Sequence, residues 1–143
     1  MCRLFALRAQ APISPHDALC TDANALRVQS QKHPDGWGIG WYVRGEPRLA
    51  RGTASAFEDA RFATASRSAR SATVIAHVRE ASCGPVAREN THPFKHGRWI
   101  FCHNGTVARY RLVRRKLEAE IAPALRGRLE GETDSERCFF IIL

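Results

Sequence analysis

The sequence predicts one α+β domain with antiparallel strand pairing. Three observations carry this. A chain of 143 residues fits a single domain with a real core. Short runs rich in aromatic and β-branched residues alternate with stretches of helical composition. The run Trp37–Val43 (WGIGWYV) is followed by Arg44-Gly45-Glu46-Pro47 and a second short run over 48–51, which reads as a hairpin and so as an antiparallel pair.

The elements follow in order. Residues 2–8 (CRLFALR) read as a first strand. Ser14 and Pro15 mark a helix start, with Ser as N-cap and Pro at the first helical position, and the helix is expected to reach about Cys20. A looser stretch leads to His33, and Pro34-Asp35-Gly36 is a turn into the hairpin. Residues 57–70 have helical composition, with Phe57, Phe62 and several alanines for a buried face. Residues 73–79 (TVIAHVR) form a strand, 80–97 are irregular with two prolines, and 98–103 (RWIFCH) form another strand ending at Asn104-Gly105. Helices are expected over 107–121 and from Asp134 onward. The chain stops on the unbroken apolar run Phe139-Phe140-Ile141-Ile142-Leu143. Natural termini are usually polar, so the run predicts that these residues are the N-terminal portion of a longer protein.

Composition narrows the function classes. Charged residues make up 25% and hydrophobic residues 44%, ordinary for a globular protein. No apolar run approaches a membrane span and no signal peptide is evident, so a cytoplasmic location without membrane association is expected. The net charge of +8 allows a nucleic-acid footprint. The arginines are scattered, however, and their one cluster (Arg109, Arg111, Arg114, Arg115 and Lys116) lacks interleaved stacking aromatics, so it reads as a solvated helix face. Five cysteines without secretory context or a Cys-x-x-Cys pair argue against a disulfide framework and against zinc. No metal or cofactor is expected.

The chemistry-bearing residues are dispersed. Cys2 would become the N-terminus on removal of Met1, which joins a thiol nucleophile to an α-amine with an ordinary pKa of about 7.7–8.0. An early cysteine is also commonly a small buried apolar residue. Arg79, at a strand end, can present its fork to a carboxylate or make a surface ion pair. Asn104-Gly105 can form a tight turn, or offer a side-chain amide and a backbone N–H to an oxyanion. In Gly131-Glu132-Thr133-Asp134-Ser135-Glu136, Thr133 or Asp134 reads as a helix cap, and Asp134 can equally bind an ammonium. His77 and His103 are available as bases for Cys83 or Cys102, although neither segment resembles the local signature of papain-like proteases.

Together and in this order, the segments MCRLFA, DGWGIGWY, AHVREAS, ENTHPF, FCHNGTV and GETDSE resemble the class II glutamine amidotransferases, the N-terminal-cysteine branch of the N-terminal nucleophile hydrolases. Within them the chain is similar to the small stand-alone members, whose relatives include the γ-glutamyl amidase of ergothioneine biosynthesis. The resemblance implies an αββα sandwich of two antiparallel sheets, incomplete at the C-terminus here. It implies a small-molecule substrate, glutamine or a γ-glutamyl compound. Cys2 would attack the side-chain amide and form a γ-glutamyl thioester, with its α-amine as base. Asn104 and the Gly105 N–H would form the oxyanion hole, Arg79 would grip the α-carboxylate, and Asp134 the α-ammonium. His92 matches a position lining the glutamine pocket, and Trp37 and Gly38 match a loop near the site. Ser82 stands where members of the family frequently carry Thr. Two other readings remain: an idle fragment that keeps the motifs, and a basic nucleic-acid-binding protein.

Overall fold

A computed structural model describes residues 2–143; Met1, on which the processing expectation turns, lies outside the described residues. The architecture is α+β with antiparallel sheets. A four-stranded sheet has the order β1-β4-β2-β3, built from β1 (Arg3–Ile13), β2 (Trp37–Val43), β3 (Glu46–Gly52) and β4 (Ser71–Val78). A two-stranded sheet pairs β5 (Phe94–His96) with β6 (Trp99–Phe101). The helices are α1 (Leu26–Gln29), α2 (Ala60–Ser68), α3 (Tyr110–Glu120), α4 (Pro123–Arg126) and α5 (Asp134–Ile142).

The predicted hairpin is β2–β3, with Val43 opposite Glu46. Its tight turn is Arg44-Gly45, both at positive φ. The helix predicted from Ser14 forms as little more than one turn, ending at Thr21. Strand β1 continues to Ile13 with a register shift after Arg8. The Ser14 hydroxyl accepts from the His16 N–H (3.3 Å), the bond an N-cap makes to the second helical position, and the Pro15 carbonyl accepts from the Leu19 N–H (3.0 Å). The turn is π-helical over Asp17–Thr21. The helix expected from Phe57 begins at Ala60, because the Asp59 carboxylate caps it by accepting from the Arg61 N–H (3.0 Å). Phe57 therefore lies outside the helix and is exposed, while Phe62 is fully buried. The last helix starts as expected: the Thr133 hydroxyl accepts from the Glu136 N–H (3.2 Å).

Two cores organise the layers. Trp37 and Ile39 of β2, with Val74, Ala76 and Val78 of β4, bury one face of the larger sheet against Phe62, Leu19 and Leu26. Alternation puts Gly38 and Gly40 on the opposite face. A β-carbon on Gly38 would stand 2.0 Å from the His92 carbonyl oxygen, and one on Gly40 would stand 3.1 Å from Pro93. These side-chain-free positions let the second layer rest directly on β2. Behind the small sheet, Phe94 and Phe101 pack on Phe139, Phe140 and Ile121. The apolar run at 139–143 thus divides: Phe139 and Phe140 enter this core, while Ile142 is exposed.

Candidate active site

Cys2 immediately precedes β1, whose Arg3 lies opposite Val78 at the end of the neighbouring β4. This register brings Cys2 to the segment leaving β4. The Glu80 N–H donates to the Cys2 sulfur (3.2 Å), and the thiol in turn reaches the Glu80 carbonyl (3.4 Å). The Pro34-Asp35-Gly36 turn fixes that segment. The Arg79 N–H donates to the Gly36 carbonyl (2.8 Å), the Asp35 N–H to the Arg79 carbonyl (3.1 Å), and the Ala81 N–H to the Asp35 carboxylate (2.7 Å). Asp35 is thus a positioning residue for Arg79 and Glu80.

Arg79 is buried, and its fork is already filled. Nη1 donates to the Pro85 carbonyl (2.9 Å), and Nη2 to the carbonyls of Cys83 (2.8 Å) and Gly84 (3.1 Å). Burial lowers its pKa from the ordinary value, opposed by the negative forms of Cys2, Asp35 and Cys83 nearby. Buried Asn90 ties this carbonyl-bearing loop to the far wall. Its amide donates to the Pro85 carbonyl (3.1 Å) and its oxygen accepts from the Glu132 N–H (2.7 Å). Gly131 is required beside it, since a β-carbon there would meet the Asn90 oxygen at 2.4 Å.

The second layer supplies the remaining groups. The Asn104 amide donates to the Cys2 carbonyl (3.0 Å). The adjacent Gly105 N–H makes no hydrogen bond among the described residues. Asp134, at the start of α5, is buried and accepts from the N–H groups of Val107 (2.6 Å) and Ser135 (2.9 Å). Arg137 holds the approach to α5 from beneath. It donates to the Gly131 carbonyl (2.6 Å) and to the carboxylates of Glu136 (2.9 Å) and Glu118 (3.1 Å). Glu136 also accepts from the Glu130 and Gly131 N–H groups. Burial nevertheless raises the Glu136 pKa above its usual value, against these bonds.

Buried histidines back the site. The rings of His77 and His92 stand 4.4 Å apart, and His92 packs on Phe94 at 4.5 Å. No ring nitrogen of either has a well-aligned partner among the described residues. Burial lowers the His77 pKa to about 4; the His103 backbone opposes the shift without reaching hydrogen-bond geometry. Burial also holds His92 well below the ordinary value, and repulsion from the protonated forms of His77 and His103 and from Arg79 and Arg51 acts in the same direction. Both rings are therefore neutral at pH 7. His103 is bonded to the Ser135 hydroxyl (2.9 Å). Burial pushes the Cys102 thiol upward, which makes it a poor nucleophile. All five cysteines are free.

Cys2, Arg79, His92, Gly105 and Asp134 line one cavity of about 20 Å³, together with Cys83, His103 and Ser135. Asn104 joins them through the Cys2 carbonyl. All six residues singled out in the sequence therefore meet, while Trp37 lies in the first core and Gly38 at the seam between the layers. Sequence reasoning missed Asp35, Asn90 and Arg137; the first sits in a recognised turn, the second inside the ENTHPF segment and the third just after GETDSE. Among the described residues no cluster of His, Cys, Asp or Glu could hold a metal ion, and no helix is long and apolar enough to cross a membrane. The model of the family described as glutamine amidotransferases class-II matches residues 1–143. The chain belongs to the class II glutamine amidotransferases. This class II chain is 38% identical over 120 residues to the γ-glutamyl-hercynylcysteine sulfoxide hydrolase of Mycobacterium tuberculosis, covering 76% of the chain and 51% of that protein. The Mycolicibacterium smegmatis protein of the same name is also 38% identical over 120 residues, covering 76% and 52%. A glutamine aminotransferase class-II domain protein from Silicibacter pomeroyi has a similar structure, with a TM-score of 0.70 and 26% identity over 96% of this chain and 53% of that one. The chain spans about half the length of the curated relatives it matches.

Proposed function

We propose that the chain hydrolyses the side-chain amide of glutamine or of a γ-glutamyl compound, with Cys2 as nucleophile. The observation that carries this reading is the convergence of Cys2, Arg79, Gly105 and Asp134 on one cavity. The Cys2 sulfur attacks the amide carbon, and its proton passes to the α-amine that removal of Met1 exposes. The carbonyl oxygen takes up negative charge within reach of the Gly105 N–H and the Asn104 amide, donors of the kind that stabilise an oxyanion. The carbon–nitrogen bond breaks, the amine carries the proton away, and a γ-glutamyl thioester remains. Water then attacks the thioester, releasing the free γ-carboxylate and the thiol.

Arg79 and Asp134 read the opposite charges of the amino-acid head group. The cavity has room for about one water, so a γ-glutamyl head must displace the three carbonyls that fill the Arg79 fork. A carboxylate is the stronger acceptor for a guanidinium, which gives that exchange its direction.

The test is ammonia release from glutamine, with Met1 removal verified by intact mass. Cys2→Ala is expected to lose activity by on the order of 10⁴-fold or more, the scale seen when a nucleophile is deleted. Equal release from parent and variant would end the proposal. No release from a processed parent would favour a chain whose motifs are idle.

A further inference from the structure

The cavity at Cys2 adjoins a much larger space that the chemistry of glutamine leaves unused. This groove measures about 900 Å³ and shares Ser82 and Cys83 with the Cys2 cavity. Tyr110 forms part of its wall and donates to the Glu132 carbonyl (3.1 Å), one residue before Thr133 of the cavity. The groove therefore lies beside the place where the scissile amide would sit. Free glutamine carries only hydrogens on its amide nitrogen and reaches no part of it. A γ-glutamyl conjugate places its amine portion there.

The charge of the groove specifies that portion. Arg109 and Arg111 line it and are exposed, and neither guanidinium makes a hydrogen bond or ion pair among the described residues. The third arginine of the wall, Arg114, is by contrast occupied by Glu118 (2.9 Å). Glu132 is the groove's one carboxylate among the described residues and pairs with neither free arginine. Arg109 is also held at φ 54°, ψ 34°, a left-handed conformation costly for a side chain with a β-carbon. In an amino acid released from a γ-glutamyl amide, the α-carboxylate lies two bonds from the amide nitrogen, so it would enter the groove mouth first.

Resting on the hydrolase reading above, we infer that Arg109 and Arg111 form a subsite for the carboxylate of the leaving amine, so that the preferred substrates are γ-glutamyl amides of amino acids rather than glutamine. The test compares two ligands that differ in one charge, γ-glutamylglycine and γ-glutamylglycinamide, bound to the Cys2→Ala chain and measured by calorimetry. The carboxylate form is expected to bind about tenfold tighter, in line with a charge-assisted bond. The double variant R109Q/R111Q should bring that ratio to about one, and R115Q, outside the groove, should leave it at tenfold. A ratio of one with both arginines present, a ratio unmoved by R109Q/R111Q, or binding of neither ligand overturns the subsite. Glutamine hydrolysis by the parent separates the two ideas. Ammonia release with a ratio of one overturns only the subsite. A tenfold ratio without any amide hydrolysis supports the subsite and counts against the hydrolase reading.

Discussion

The two layers that meet at Cys2 hold their share of the site by different means. The larger sheet delivers His77 and Arg79 from β4, a central strand hydrogen-bonded on both sides and packed on a fully apolar core. The second layer delivers Asn104, Gly105 and Asp134 from loops and a helix start, with a three-residue strand pair and the smaller apolar core behind them. Side chains take over the task that the strand ladder performs in the first layer. Arg137, Glu136 and Asn90 satisfy backbone groups of residues 130–133. The contrast teaches that stability and site geometry are separable here: apolar burial supports both halves, and in the second buried polar bonding orients the loops.

The largest expected effects test that separation directly. Phe62→Ala empties a fully buried position beside Trp37 and should cost about 3–5 kcal/mol, read from denaturant midpoints. The folded fraction should keep its affinity for γ-glutamyl ligands, because Phe62 touches only the first core. Arg137→Met breaks a buried ion pair with Glu136 and should cost a similar ~3–5 kcal/mol. It should also weaken ligand affinity, since Gly131 and Thr133 lose their donor. Equal affinity losses in the two variants would break the comparison.

A smaller effect comes from pH. The His77 pKa is held down to about 4 by burial, against an ordinary 6.5. Between these values the unfolded chain binds the proton and the folded chain does not, so stability falls as pH is lowered from 6.5 towards 4. The loss from His77 alone is roughly 3 kcal/mol when complete, and His92 adds in the same direction. Above pH 6.5 neither group contributes a slope. Denaturant midpoints of parent and His77→Phe across pH 4–8 check this, with a shallower acid limb expected in the variant. The smallest change is Thr133→Ala, which removes the α5 cap and should cost about 1 kcal/mol. An unchanged midpoint would mean that the Arg137 network alone fixes the helix start.

The same division explains what could be read from the chain. The hairpin, β4 and the α5 cap depend on local patterns and were legible as such. All six candidate residues lay in recognisable motifs, and only their resemblance to a family tied them together. Phe57 misled because Asp59 caps the helix, which starts only at Ala60. Asn90 and Arg137 stayed invisible because their roles consist of bonds to backbone groups of loops, which leave no periodicity. Arg109 and Arg111 resembled a solvated helix face, and only the groove beside them suggests another use.

Gly84, at the tip of the loop that fills the Arg79 fork, sits at φ 71° and against Asn90. If Arg79 takes a head-group carboxylate as proposed, the molecule carries its own competitor. Any head group's measured affinity is the difference between two ligations of one guanidinium, so a tight inhibitor must outmatch three single-point acceptors with one two-point acceptor. Potency in a ligand series would then track the geometry of its carboxylate more closely than its size.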